Sequence, residues 1–244
     1  MNILKNILAR IMAVWALLTF VASLLLVALP TWIIGFWPEP KRSRMMHVIF
    51  VSWMDFFFLS IGLRRIIKGK NHFQKGQPYI VVCNHSSFMD VPLSSPGIPG
   101  PNKTIAKIEM ARIPLFGLLY KRGSVLVDRK SEESRRHSYS KMKEVLNMGL
   151  HMCIYPEGTR NKTAAPLQRF HDGAFRLSVE TGKPIIPALI FHTRKVMPIN
   201  KTFYLWPHPI EMHFLAPVDP AGLSVAELRD KVHGIMLAFL TGKK

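Results

Sequence analysis

The stretch Tyr79-Ile80-Val81-Val82-Cys83-Asn84-His85-Ser86-Ser87-Phe88-Met89-Asp90 changes character at its midpoint. Five apolar residues read as a buried strand. The run then turns polar. In layered α/β folds ligands sit beyond the carboxyl ends of strands, so residues 84–90 are where chemistry is expected. His85 and Asp90 are separated by four residues. A tight turn, or the first turn of a helix, brings that carboxylate back to the imidazole. It would hold the Nδ1–H tautomer and leave Nε2 to accept a proton. Val91-Pro92 supports a helix start there, because proline is tolerated in a first turn. The chain has ten histidines, so chance alone supplies about a quarter of a His-x4-Asp match. The pair therefore draws its weight from its company.

Working outward, apolar β-rich runs predict strands at residues 79–83, 103–107, 124–128, 152–155, 185–191 and 210–215. Helices are expected at 131–148, 172–181 and 224–240. The alternation predicts an α/β fold with a mixed, largely parallel central sheet flanked by helices. Ser94 to Asn102 reads as a loop by its Pro and Gly content. Three further strand ends carry chemistry. Gly123-Ser124-Val125-Leu126-Val127-Asp128-Arg129 runs from glycine through a strand to a charged end, and Tyr155-Pro156-Glu157-Gly158-Thr159-Arg160 follows a strand directly. Arg129 and Arg160 are fork-shaped donors suited to a phosphate, and Gly158 permits close backbone approach. Lys107, with Glu109 nearby, ends another strand and supplies a further positive charge. Ile185-Ile186-Pro187-Ala188 is a strand interrupted by proline, which usually marks an edge or a bulge. Read singly, each has an ordinary reading as solvated surface or edge guard.

The N-terminus is different. Ile11 to Trp37 carries no charge; Ile11 to Leu29 is 19 residues, about 28 Å of helix, against a hydrocarbon core of about 30 Å. Trp32, Trp37, Lys41, Arg42 and Arg44 follow as interfacial anchors. A cleaved signal peptide is disfavoured, because the run is long and no A-x-A site follows. A second apolar stretch, 45–63, carries His47 and Asp55, so it is expected to lie in the interface or fold back on the first. Arg64, Arg65, Lys68 and Lys70 form a basic collar for anionic headgroups. Spanning by one segment or by both stays open. Either way the Lys/Arg bias places the bulk of the chain on the cytoplasmic side of a cell membrane. The expected division is 1–68 as a membrane-docking helical anchor or hairpin and 69–244 as the α/β catalytic domain.

Composition bounds the function. The chain has 244 residues, 33 Lys plus Arg against 15 Asp plus Glu, and a formal charge of +18. Such a surplus suits a polyanionic partner: nucleic acid, an anionic membrane face or phosphorylated substrates. Dispersed basic residues and the absence of any DNA- or RNA-binding motif argue against nucleic acid. Two cysteines, Cys83 and Cys153, exclude a disulfide scaffold; Cys83 reads as a small buried hydrophobe. No H-E-x-x-H occurs and the His and Cys spacings form no ligand set, so no metal is expected. Nor is there a G-x-S-x-G nucleophile elbow.

The four elements, in this order, resemble the glycerolipid acyltransferase family over roughly residues 69–216, with NHSSFMD and YPEGTR the specific parts. Where Val125 or Val127 stands, the family often has an aromatic residue. The resemblance implies transfer of a fatty acyl group from acyl-CoA or acyl-acyl carrier protein, as donor substrate and with no cofactor, to the sn-2 hydroxyl of a 1-acylglycerol 3-phosphate, giving phosphatidic acid. It implies His85 as general base, Asp90 as its orienter, and Arg129, Arg160, Lys107, Gly158 and Thr159 around the acceptor phosphate, with Glu157 orienting an arginine or bonding the glycerol. Amides near Asn84–Ser87, or Lys107, are the expected oxyanion donors. Two readings stand beside it: another acceptor (glycerol 3-phosphate, another lysophospholipid or a lyso-aminolipid), or a basic membrane-surface protein without catalysis.

Overall fold

The structure is a computed structural model that describes residues 3–242. It opens with two long helices, α1 (Ile3–Ile34) and α2 (Lys41–Ser60). There follow β1 (Arg65–Lys68), β2 (Ile80–Cys83), α3 (Asp90–Gly97), β3 (Asn102–Lys107), α4 (Phe116–Gly123) and β4 (Ser124–Val127). The chain continues with α5 (Glu132–Asn147), β5 (His151–Ile154), α6 (Gly173–Thr181), β6 (Ile185–Phe191), α7 (Thr193–Val196), β7 (Ile210–Phe214) and α8 (Val225–Gly242). The seven strands form one sheet in the order β1-β7-β6-β2-β5-β3-β4. All neighbours are parallel except β6 and β7.

Period-two alternation builds the two cores. Val81 and Cys83 of β2 face the layer of α1 to α4, packing with Trp53, Phe58 and Leu93. Ile80 and Val82 face the layer of α5, α6 and α8, with Leu146, Phe175 and Val232. Strands covered on both faces read as unbroken apolar runs, which is why β2 and β6 stand out in the sequence. Local signals close the helices. Ser131 caps α5, its hydroxyl accepting the Ser134 amide at 3.1 Å, with Glu132 and Glu133 in the first turn. Gly182 ends α6 in the left-handed conformation.

The structure corrects the sequence reading in three places and decides a fourth. β1 lies inside the basic collar and pairs with β7 as an edge strand. α4 lies outside the helices that the sequence pattern predicts. Residues 94–97, expected as loop, form the last turn of α3, with Pro96 at its end. Gly97 lets that turn sit on the sheet, since a Cβ there would meet Ile67 and Met212 at 3.3 Å. Of the two readings of Pro187, edge or bulge, the structure shows the bulge, in the interior strand β6. Pro187 accepts the Leu215 amide at 2.9 Å, and the next bridge, Ile185 with Val218, is one residue out of step. The missing N–H thus falls at a bulge, where the ladder is already broken.

Two connections set the functional edge. From β2 the chain crosses by α3, on one face, towards β3. From β5 it crosses by α6, on the other face, towards β6. The crossovers part between β2 and β5, a topological switch point that leaves a crevice at the strands' carboxyl ends.

α1 is tied to the rest of the molecule along its whole length, about 48 Å for 32 residues. Near its start the Leu205 amide donates to the Ala9 carbonyl at 3.0 Å and Lys5 lies over the Trp206 ring. At its middle Trp53 Nε1 donates to Ser23 Oγ at 2.9 Å. Beyond its end Arg122 donates to the Gly35 carbonyl at 2.5 Å. Its outward face, including Leu18, Leu25 and Leu29, is exposed. Among the described residues it is the one helix long and apolar enough to cross a membrane.

Candidate active site

β2 ends in Asn84, whose amide completes the sheet where the backbone leaves it. Its Nδ2 donates to the Ile190 carbonyl at 3.0 Å and its Oδ1 accepts the Ile190 amide at 2.7 Å. The chain then turns, and Asp90, the first residue of α3, comes back beneath His85. His85 Nδ1 and Asp90 Oδ2 are 2.8 Å apart. The same oxygen accepts the Ser86 amide at 2.6 Å and the Ser87 amide at 2.7 Å. Asp90 is fully buried while the His85 side chain keeps 17% exposure. One group is therefore a fixed anchor and the other reaches solvent. The imidazole also stacks on Tyr155 from the end of β5, with centroids 4.4 Å apart. Tyr155 is held in turn by Ser94 of α3, hydroxyl to hydroxyl at 2.6 Å. Edge and face of the ring are thus both set.

The loop after β5 supports the same turn. Glu157 is buried; its Oε1 accepts the His85 amide at 2.8 Å and its Oε2 the Gln168 amide at 3.0 Å. Burial pushes its carboxyl pKa up, against the opposing pull of those two amides. Both oxygens are taken by backbone, and neither hydrogen-bonds an arginine. The amide of Asn161 donates to the His85 carbonyl at 2.7 Å. Asn161 Oδ1 in turn accepts from the Thr163 amide and hydroxyl. Arg194 donates to the carbonyls of Asn161 and Thr163. The amides of His85, Ser86 and Ser87 all serve carboxylates, so the Asn84–Ser87 turn, expected to supply oxyanion donors, has these three committed elsewhere.

The basic residues gather at the same edge. Arg129, past β4, is exposed and donates through Nη1 to the Gly158 carbonyl. Gly158 has positive φ, where a side chain is strained, and a Cβ there would press on the His171 ring at 3.0 Å. The Arg160 guanidinium lies 3.5 Å from the centroid of the exposed Phe88 ring. Thr159 and Lys107 are exposed, Lys107 ending β3 one strand beyond β5. Among the described residues, no group of three or more His, Cys, Asp or Glu is placed to hold a metal ion. Cys83 and Cys153 are buried with sulfurs 3.9 Å apart. Burial, then the Cys153 neighbour, raises the Cys83 thiol pKa. The sequence reading gave no role to Tyr155, Asn161, Gln168 or Arg194. For Asn161 a signal existed, since Asn-x-Thr directly after Arg160 favours an Asx turn.

A family model described as Acyltransferase matches residues 64–191. The 1-acyl-sn-glycerol-3-phosphate acyltransferase alpha of Mus musculus is 31% identical over 181 residues, covering 72% of this chain and 63% of that protein. The Homo sapiens protein of the same name gives the same figures, 31% over 181 residues with 72% and 63% coverage. A 1-acyl-sn-glycerol-3-phosphate acyltransferase of Cocos nucifera is 33% identical over 141 residues, 57% of this chain and 45% of that one. The match thus spans less than two thirds of these relatives' length. The crystal structure of the 1-acyl-sn-glycerophosphate acyltransferase PlsC from Thermotoga maritima superposes with a TM-score of 0.82 and 22% identity, covering 97% of this chain and 96% of that one. At that identity the likeness is one of fold.

Proposed function

The chain belongs to the acyltransferase family, and from that premise we propose that it acylates the sn-2 hydroxyl of 1-acyl-sn-glycerol 3-phosphate, making phosphatidic acid. The observation that carries the reading is the 2.8 Å pairing of a partly exposed His85 with a buried Asp90 at the switch point, on the sheet edge where the loops after β4 and β5 carry Arg129 and Arg160.

A secondary alcohol attacks a thioester poorly unless a base removes its proton as the C–O bond forms. His85 Nε2 takes that proton. Nδ1–H donates to Asp90, which fixes the tautomer and stabilises the imidazolium. The Tyr155 face beneath the ring favours the same cation. The tetrahedral intermediate then expels the thiolate of coenzyme A or acyl carrier protein, which recovers the proton from His85. The thioester is already activated, so no acyl-enzyme is needed. Arg129 and Arg160, with Lys107, bind the acceptor phosphate, and Gly158 and Thr159 line it. Arg129 spends one of its five N–H donors on Gly158 and keeps the others for the ligand. Glu157 acts from behind, holding the His85 backbone.

The acceptor is a membrane lipid, and α1 suits that. Both of its ends rest on the α/β domain, which supports a helix lying along the membrane surface with its outward face in lipid. We assign the two N-terminal helices, α1 and α2, to anchoring and the sheet from β1 onward, with its helices, to catalysis, on the cytoplasmic face; the boundary falls before β1, not at residue 68. Acceptor competition tests the substrate class. Lysophosphatidate should outcompete lysophosphatidylcholine and glycerol 3-phosphate, and Arg160→Ala should raise its KM about tenfold or more with kcat less affected. Equal turnover of an acceptor without a phosphomonoester would contradict the assignment.

A further inference from the structure

Three non-glycine residues among the described residues have positive φ: Leu115, His192 and Phe203. Two of them present large apolar side chains to solvent, Leu115 at 50% and Phe203 at 55% exposure. Topology places both at the functional edge. Leu115 lies in the connection that leaves the carboxyl end of β3, and Phe203 in the one joining the carboxyl end of β6 to β7. Each loop has a second exposed apolar residue, Ile113 and Ile199. Each also touches α1. Phe116, next to Leu115, packs edge-on against Phe20, and the Thr202 carbonyl, next to Phe203, accepts from Arg10. Both loops therefore lie against α1, whose outward face is apolar and exposed. Between His192 and Ile210 the chain has Arg194, Lys195 and Lys201 and no acidic residue; the other loop pairs Lys107 and Arg112 with Glu109.

We propose that both loop tips, around Leu115 and Phe203, insert into the lipid monolayer beside α1, so that the bilayer contact surrounds the mouth of the site. Apolar tips flanked by basic residues match acyl chains beneath anionic headgroups. Continuity with the α1 face makes lipid, not protein, the occupant. The arrangement delivers a bilayer-borne acceptor to His85 without the acceptor crossing water. This rests on the membrane-lipid reading above, and its test uses no turnover, so the two fail separately.

The test is single-site labelling of the full chain with an environment-sensitive fluorophore. Cys83 and Cys153 are buried, so Leu115→Cys, Phe203→Cys, Leu18→Cys and Ser140→Cys each offer one reactive thiol. With vesicles of phosphatidylcholine and phosphatidylglycerol, labels at 115, 203 and 18 should shift to the blue and be quenched by brominated lipid. The label at 140, on α5, should stay in water. A second readout uses Leu115→Asn/Phe203→Asn, which replaces both apolar tips by polar side chains. With its melting temperature kept, it should lose about tenfold or more in vesicle affinity, roughly what two exposed apolar insertions contribute. Labels at 115 and 203 that stay aqueous while 18 is quenched would overturn the proposal. So would protection of those labels without vesicles and rising with protein concentration, which would mean a second copy covers them.

Discussion

At the scale of single residues the site rests on how one imidazole is held. Asp90 fixes its edge, Tyr155 its face and Glu157 its backbone. Misplacing a base by an ångström costs far more in turnover than in binding. Tyr155→Leu should therefore lower kcat about tenfold or more with little change in acceptor KM. Tyr155→Phe, which keeps the ring and loses only the bond to Ser94, should recover most of it. Steady-state kinetics of the two variants decide, and equal loss in both would make the hydroxyl, not the stack, the relevant contact. Glu157→Gln puts an NH2 against a backbone donor. It should cost about 2 kcal/mol in denaturant unfolding, the scale of a buried group left unpaired; an unchanged midpoint would show that those amides find other acceptors. His85 and Asp90 were legible in the sequence because five residues of local chain bring them together. Tyr155 and Asn161 acquire their roles only because β5 lies beside β2, and no local pattern encodes that adjacency.

At the scale of elements, strands with both faces covered were readable from sequence and the rest was harder. β1 has the sequence RIIK at an edge, where two basic residues mask a two-residue apolar centre. α4 is eight residues long, and its start depends on Gly117, where a Cβ would meet the Ala111 carbonyl at 2.3 Å. Such a corner is set by tertiary contact, not by propensity. The start of β5 carries a pH dependence. His151 is buried, its Nδ1 accepting the Tyr79 amide at 3.0 Å. Burial, then the nearby His47, pulls its pKa from 6.5 down to about 4, despite an opposing backbone hydrogen bond. The unfolded chain thus binds the proton more readily between those values. The stability this site contributes is complete above pH 6.5 and is lost as pH falls towards 4, by roughly 3 kcal/mol. Urea unfolding of wild type and His151→Gln across that range checks it. The variant should show a flatter loss, and parallel curves would assign the acid sensitivity elsewhere.

For the whole molecule, a charge of +18 and an apolar helix tied along the domain are the features on which the proposed docking to an anionic membrane surface rests. If α1 lies along that surface, its two ends share one side. Thiols introduced as Asn6→Cys and Phe36→Cys should both react with an impermeant reagent added outside vesicles to which the protein is bound. Protection of one and not the other would mean that the helix crosses. The fold class and the order of motifs followed from the alternation of buried strands and polar strand ends, whereas the lie of α1 depended on contacts far apart in sequence, such as Arg122 with Gly35. The central claim is that His85 is the base for acyl transfer to lysophosphatidate. The direct test is phosphatidate formation from labelled acyl-CoA or acyl-acyl carrier protein, with wild type and His85→Ala matched for folding and vesicle binding. The substitution should lower kcat/KM by at least about 100-fold; activity within about tenfold of wild type would contradict the account.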